Sequence, residues 1–388
     1  MKRTALSMIS LAALATATSA AHAQTSVTLY GTIDTGITYV HNASGNNSLW
    51  SLGNTSAGNL SGTRWGLKGS EDLGAGLKAI FQLESGFDSS TGKLGQGSRL
   101  FGRQAFVGLS QDQYGSITLG RQYDPLIDLV QGITADNYFG SAFATAGDVD
   151  NYDNSFRVNN AVKYTSPVFA GLQFEAMYSL GGVAGSTGSE QSYSGAVAYN
   201  NGPIGLAAGY YYASNSPASE GIRTTWNSTS DGTFDGPVNL GYQTAHSIGI
   251  ARVAGQYTAG SFTFGLGYSN AQYRRDDSSV FGTNERYNTG QGFVNYQATP
   301  AMLLGVGYSY THSNGDTSAT YHQVSLGADY NLSKRTDLYI TAAYQHASGQ
   351  TRDATTNTIT DAQASIGSYG YAGTSHQEMV NLGIRHKF

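Results

Sequence analysis

The last ten residues of the chain, 379–388, alternate strictly. Val380, Leu382, Ile384, His386 and Phe388 fall on one face of an extended strand, and Asn381, Gly383, Arg385 and Lys387 on the other. Strand side chains alternate with a period of two, so one face is apolar and the other polar and basic. The same period recurs upstream. Val27, Leu29, Ile33, Ile37 and Tyr39 share a face, as do Phe262, Phe264, Leu266 and Tyr268, and Leu338, Ile340, Ala342 and Tyr344. Beyond the amino-terminal segment no run approaches the roughly 18 apolar residues of a helical membrane span. Little else in the chain could form a separate core. Apolar residues spread over one face of many strands are buried either against a second sheet or in lipid.

Alternation and turn residues predict sixteen strands: 27–41, 60–72, 77–88, 99–110, 115–121, 159–166, 172–180, 193–199, 204–214, 246–257, 262–273, 287–298, 302–312, 321–331, 336–346 and the closing segment. Segments 115–121 and 246–257 alternate poorly, which predicts bulges or a face buried in protein. Short connections (for example 112–114, 200–203 and 299–300) alternate with long polar ones (42–59, 181–192, 215–245, 274–286 and 347–378). Short turns at one end and long loops at the other are the asymmetry of outer-membrane barrels. An even strand number lets the last strand close on the first, which satisfies every backbone group in lipid. The expected fold is all-β, a sixteen-stranded antiparallel transmembrane barrel; a soluble β-helix or sandwich is the competing reading.

The first residues supply the matching address. Lys2 and Arg3 precede an apolar stretch at 5–17, and Ala21-His22-Ala23 is a small-x-small cleavage site. This predicts a secretory signal peptide at 1–23 and a single barrel domain at 24–388. Losing Lys2 and Arg3 takes the formal charge from −5 to −7, which argues against a nucleic-acid partner. The chain has no cysteine, so disulfides and thiolate metal sites are excluded. Its 51 glycines and 27 tyrosines suit short alternating strands with aromatic belts at two interfaces.

Sixteen strands enclose more space than wall side chains can fill. One long segment, 122–158, differs from the other loops by mixing Leu126, Ile127, Leu129, Val130 and Ile133 with acids that include Asp124, Asp128, Asp136, Asp148, Asp150 and Asp153. An external loop has little use for that apolar side, whereas a loop folded into the barrel can lay it on the wall. An external loop with a short helix is the alternative.

The closing strand resembles the carboxy-terminal signature of bacterial outer-membrane barrels. Ser61-Gly62-Thr63-Arg64-Trp65-Gly66-Leu67-Lys68-Gly69-Ser70-Glu71-Asp72-Leu73-Gly74 resembles the second strand and turn of the trimeric general porins of Gram-negative bacteria. Arg103-Gln104-Ala105-Phe106-Val107-Gly108-Leu109 and Leu119-Gly120-Arg121-Gln122-Tyr123 resemble the fourth and fifth strands of their β-proteobacterial branch. The resemblance spans essentially the whole chain after the signal peptide. It implies a homotrimer in the outer membrane, in contact with lipid and lipopolysaccharide and assembled by machinery that reads the Phe388 strand. It also implies an inward-folded loop forming an eyelet, with no cofactor. On that resemblance Arg64, Arg103, Arg121 and Lys163 would face the acidic loop, where Asp124, Asp128 and then Asp136 are the favoured counterparts. Opposed charges across a narrow aqueous gap orient dipolar solutes and select ions. Parity agrees for Arg64, opposite Trp65 and Leu67, and for Lys163, between Val162 and Tyr164. Arg103 shares the parity of Ala105 and Val107, which fits only a strand facing protein.

No metal spacing such as H-E-x-x-H and no Gly-x-Ser-x-Gly elbow is present, so an enzyme is not expected. The expected function is passive diffusion of small hydrophilic solutes and ions. A solute-specific channel for an anion or a sugar is the alternative, and adhesion through the long loops a third reading. Lumen-facing aromatics read as sparse (Tyr30, Tyr211 and Tyr339), which disfavours a sugar ladder. The basic wall favours anions and the acidic loop cations; the expectation leans towards anions.

Overall fold

The computed structural model describes residues 26–53, 59–217, 226, 234 and 236–388. The expected signal peptide at 1–23, a chain start at Gln24 and part of the 215–245 loop lie outside the described residues. Among the described residues eighteen strands run in chain order: β1 (Ser26–Ser44), β2 (Asn47–Gly53), β3 (Arg64–Gly74), β4 (Leu77–Gly86), β5 (Gln104–Gln111), β6 (Gly115–Gln122), β7 (Val158–Thr165), β8 (Leu172–Ser179) and β9 (Ser192–Asn201). They continue as β10 (Ile204–Ser214), β11 (Ser247–Ala259), β12 (Phe262–Arg274), β13 (Glu285–Thr299), β14 (Met302–Asn314), β15 (Ser318–Asn331), β16 (Thr336–Arg352), β17 (Ile359–Asp361) and β18 (His376–Lys387).

Sixteen of these form a closed antiparallel barrel. Each pairs with its neighbour in sequence, and β18 returns to β1 with Thr32 opposite Lys387 and His41 opposite Glu378. The remaining two are extensions that the sequence reading leaves in loops. β2 folds back on the outer half of β1, Tyr39 opposite Trp50, and β17 pairs with the far end of β16.

The two-residue period decides which way each strand faces. Val27, Leu29, Ile33, Ile37, Leu266, Val306, Leu326, Ile340 and Leu382 all point outwards and are exposed. An apolar belt on an otherwise polar-lined cylinder belongs in lipid, where a misplaced charge costs about 2–4 kcal/mol near the midplane.

The segment between β6 and β7 folds into the barrel and packs against its wall. It carries two short helices, α1 (Pro125–Leu129) and α2 (Ala135–Phe139). Val130 and Ile133 pack on Ala196, Ala198, Ala207 and Ala254, small residues of β9, β10 and β11. Phe139 and Phe143 stack at 4.9 Å and lie against Phe293 and Tyr339. A Cβ at Gly305 or Gly327 would come within 2.1 or 2.3 Å of the Phe139 ring, so glycine on the wall makes room for the loop. A second set of contacts lies towards the long-loop end of the barrel. Three further inward tyrosines, Tyr273, Tyr287 and Tyr321, are fully buried together with Tyr242 and Val238 of the 236–245 segment. They pack against loop residues and present no aromatic track to water.

Candidate functional site: a charged eyelet at the inner loop

Asp34, buried on β1, accepts bonds from the backbone amides of Leu60 (2.9 Å) and Ser61 (2.8 Å) and from the Tyr339 hydroxyl. This pins the 59–63 bend inside the barrel, and the bend in turn holds Arg64, which donates to the Gly62 carbonyl at 2.8 Å. Behind Arg64 stands Glu84, buried on the inner face of β4. Its carboxylate accepts from Arg103 Nε at 2.8 Å, from the Tyr30 hydroxyl at 2.9 Å and from the Tyr123 hydroxyl at 3.1 Å. Arg64 Nε lies 3.7 Å from the same group. The Tyr123 ring is flanked by two guanidinium groups, Arg103 at 5.9 Å and Arg157 at 5.2 Å from its centre, so β4, the start of β5 and both ends of the inner loop meet in one network.

These groups open on a cavity of about 330 Å³ whose charged lining is Arg64, Arg103, Arg157, Arg385 and Lys387 facing Asp136 and Asp153. The acids are set back. Asp153 is buried and bonded by Ser368. Asp136 is buried and accepts from Thr134 at 2.6 Å and Gln131 at 2.8 Å. Burial pushes its carboxyl up to about 6, against the hydrogen bonds from Thr134 and Gln131. Arg385 is backed by Asp337 at 3.1 Å and Asp329 at 3.5 Å, both buried behind it. The charged groups that reach water are cationic: Arg64 and Arg385 are part-exposed and Lys387 exposed.

The residues expected from sequence divide. Arg64, Arg103 and Asp136 meet at the cavity. Lys163, on the inner face of β7, ion-pairs with Asp128 and donates to the Tyr123 carbonyl at 3.1 Å, so this pair ties the loop to the wall. Asp124 is buried as the N-cap of α1, accepting from Leu126 N at 2.8 Å, a structural use of the side chain. Arg121 donates to the Gly102 carbonyl at 2.7 Å and to Asn159, away from the cavity lining. Asp148 and Asp150 are also consumed within the fold. Asp148 accepts from the Asp153 amide and Ser155, and Asp150 from Thr145 and Ser269.

Two local departures from strand geometry account for the arginines. β5 begins at Gln104, not at 99, so Arg103 sits in a bend where strand parity does not apply and its side chain turns inwards. In β6 a register shift between Gly120 and Gln122, with Gly120 at φ +139°, marks a bulge, which buries Arg121 and Gln122 together. Arg157, Asp153, Arg385 and Lys387 of the cavity lining and Glu84 behind it lie beyond the candidates that the sequence offers. Glu84 shares the parity of Lys78 and Gln82, opposite that of Phe81 and Leu83, so alternation alone marks it as lumen-facing. Arg157 is the one basic residue in 122–158, and that contrast with six acids was the available signal.

A family model for Gram-negative porins matches residues 10–350. An outer membrane porin protein of Bordetella pertussis is 31% identical, with 100% of both chains covered. Outer membrane porin protein 32 of Delftia acidovorans is 32% identical over 98% of this chain and 99% of its own. Among solved structures, an anion-selective porin from Comamonas acidovorans superposes with a TM-score of 0.71 at 24% identity, covering 94% of this chain and 100% of that one; that likeness is one of fold.

Proposed function

The chain belongs to the Gram-negative porin family, an outer-membrane β-barrel, and from that premise we propose that it is a water-filled diffusion channel whose eyelet prefers anions. The observation that carries the preference is the cavity lining: the part-exposed and exposed charges are Arg64, Arg385 and Lys387, while their carboxylate partners lie behind them. A permeating ion meets the cations at short range and the acids through the guanidinium groups, and Coulomb attraction falls with distance. The side-chain roles are Arg64 and Lys387 as water-accessible charges and Arg103, Arg157 and Tyr123 as the rigid frame. Glu84 is the buried anchor, and Lys163 with Asp128 is the clasp that holds the loop inwards.

The reading extends to a homotrimer in contact with outer-membrane lipid and lipopolysaccharide, exported through a signal peptide cleaved after Ala23 and delivered by the assembly machinery through the Phe388 strand. The resemblance in sequence supports these points, and gel mobility of the unheated protein together with amino-terminal sequencing tests the first and third.

The direct test is reversal potential across a planar bilayer under a KCl gradient. A chloride-favouring sign is expected from the refolded protein, reduced in Arg64→Gln and moved furthest towards potassium in Arg64→Glu. A potassium-favouring sign in the unaltered protein overturns the reading. Conductance that saturates with one solute assigns the solute-specific alternative.

A further inference from the structure

Outside the eyelet, the described residues contain one cluster able to hold a metal ion: His41, His376 and Glu378, with one donor atom from each lying within 4.8 Å of the others. Its geometry follows from strand register. His41 on β1 is directly opposite Glu378 on β18. His376 is two residues before Glu378 and so shares its face. The face is the outer one, since His41 has the parity of exposed Ile37, and His376 and Glu378 that of exposed Val380 and Leu382. All three stand at the end of the barrel that carries the long loops, just beyond the Tyr39–Trp50 ring pair at 4.8 Å.

Three further details favour a ligand. The two imidazole rings lie with centres 6.4 Å apart and tilted. His41 Nδ1 is bonded to the Ser48 hydroxyl at 3.0 Å, which orients the ring and leaves Nε2 as the donor, the arrangement usual for a metal-bound histidine. Glu378 Oε2 is buried and without a hydrogen-bond partner, an uncompensated acceptor whose desolvation a cation would offset.

We propose that His41, His376 and Glu378 form a first-row transition-metal site, zinc-class in its chemistry, that staples β1 to β18 across the seam where the barrel closes. Two imidazoles and one carboxylate suit Zn²⁺, Ni²⁺ or Cu²⁺, whereas Mg²⁺ and Ca²⁺ demand oxygen. An ion held between the first and last strands binds the closed barrel and not the open chain, so it raises stability as RT ln(1 + c/Kd), with c its free concentration, increasing with the logarithm of c once that exceeds Kd.

The test is calorimetric titration of the folded protein in detergent with Zn²⁺, followed by thermal unfolding with and without it. One saturable site per chain at micromolar Zn²⁺ is expected, undisturbed by excess Mg²⁺, with a raised unfolding temperature. His41→Ala and His376→Ala should abolish that site, Ser48→Ala should weaken it about tenfold by freeing the ring, and His386→Ala, at the opposite end of β18, should leave it intact. Because the ligands are surface groups, folding of each variant is read from its gel mobility before and after heating. A second readout needs no variant: one equivalent of Cu²⁺ should give an electron paramagnetic resonance spectrum with coupling to two imidazole nitrogens. No saturable Zn²⁺ binding, binding that survives His41→Ala and His376→Ala, or a Cu²⁺ spectrum without nitrogen coupling overturns the proposal.

Discussion

Asp136 is the eyelet charge most open to physiological change. It lines the same cavity as Arg64 and Arg157, and burial raises its carboxyl to about 6. Above that pH it is ionised and opposes the cations; as pH falls through about 6 it takes a proton and the lining becomes more positive. The sign follows directly: chloride preference should rise between pH 7.5 and pH 5. Asp136→Asn, neutral throughout, should show the low-pH reversal potential at both values, and the pH series in a planar bilayer checks it. A pH shift that persists in Asp136→Asn would move the titration to another group. Arg157 shows the reverse effect of the same environment. Burial and the adjacent Arg103 lower its guanidinium to about 10, still fully charged at the pH of any outer membrane.

The inner loop is held by residues that lie outside the cavity lining. Asp124 caps α1, Asp128 reaches Lys163, and Val130, Ile133 and Phe139 lie on alanines and glycines of the wall. Asp124→Ala removes a cap worth about 1 kcal/mol, and because the apolar contacts remain the loop should stay folded but fluctuate. The expected outcome is noisier open-channel current with an unchanged sign of selectivity, and Lys163→Met, which unties the other end of α1, should add to it. Quiet traces in the double variant would mean that apolar packing alone sets the loop. These elements also explain what was legible beforehand. Strands such as 262–274 and 302–314 could be read because lipid enforces a period of two on every residue of one face. The inward loop was readable from Leu126 to Ile133, whose apolar side needs a wall. The use of each aspartate was not, because capping at Asp124, pairing at Asp128 and lining at Asp136 ask for the same side chain. Arg103 and Arg121 escaped parity for a different reason: a bend and a bulge break the strand at those two residues, and nothing in the alternating pattern marks which way they then turn.

At the scale of the molecule the formal charge is negative, −5 for the whole chain, yet the eyelet exposes Arg64, Arg385 and Lys387. The two facts are compatible because charge acts over a Debye length, about 10 Å at 0.1 M salt and about 3 Å at 1 M. Acids on the outer loops are screened from an ion in the constriction, whereas the arginines on its wall are in contact range. That argument carries a prediction about salt. If the preference is a field effect of a few wall charges, it should be strongest at 0.1 M KCl and shrink as the bath approaches 1 M, while conductance goes on rising in proportion to concentration. Were it a binding site that strips water from one anion, the conductance would level off with concentration, because residence and not supply would limit the current. Reversal potential and conductance measured on the same channels across that range separate the two. A preference that fades while conductance stays linear is the behaviour of an open, positively lined eyelet. A preference that holds while conductance saturates would make Arg64, Arg103, Arg157 and Tyr123 a solute site.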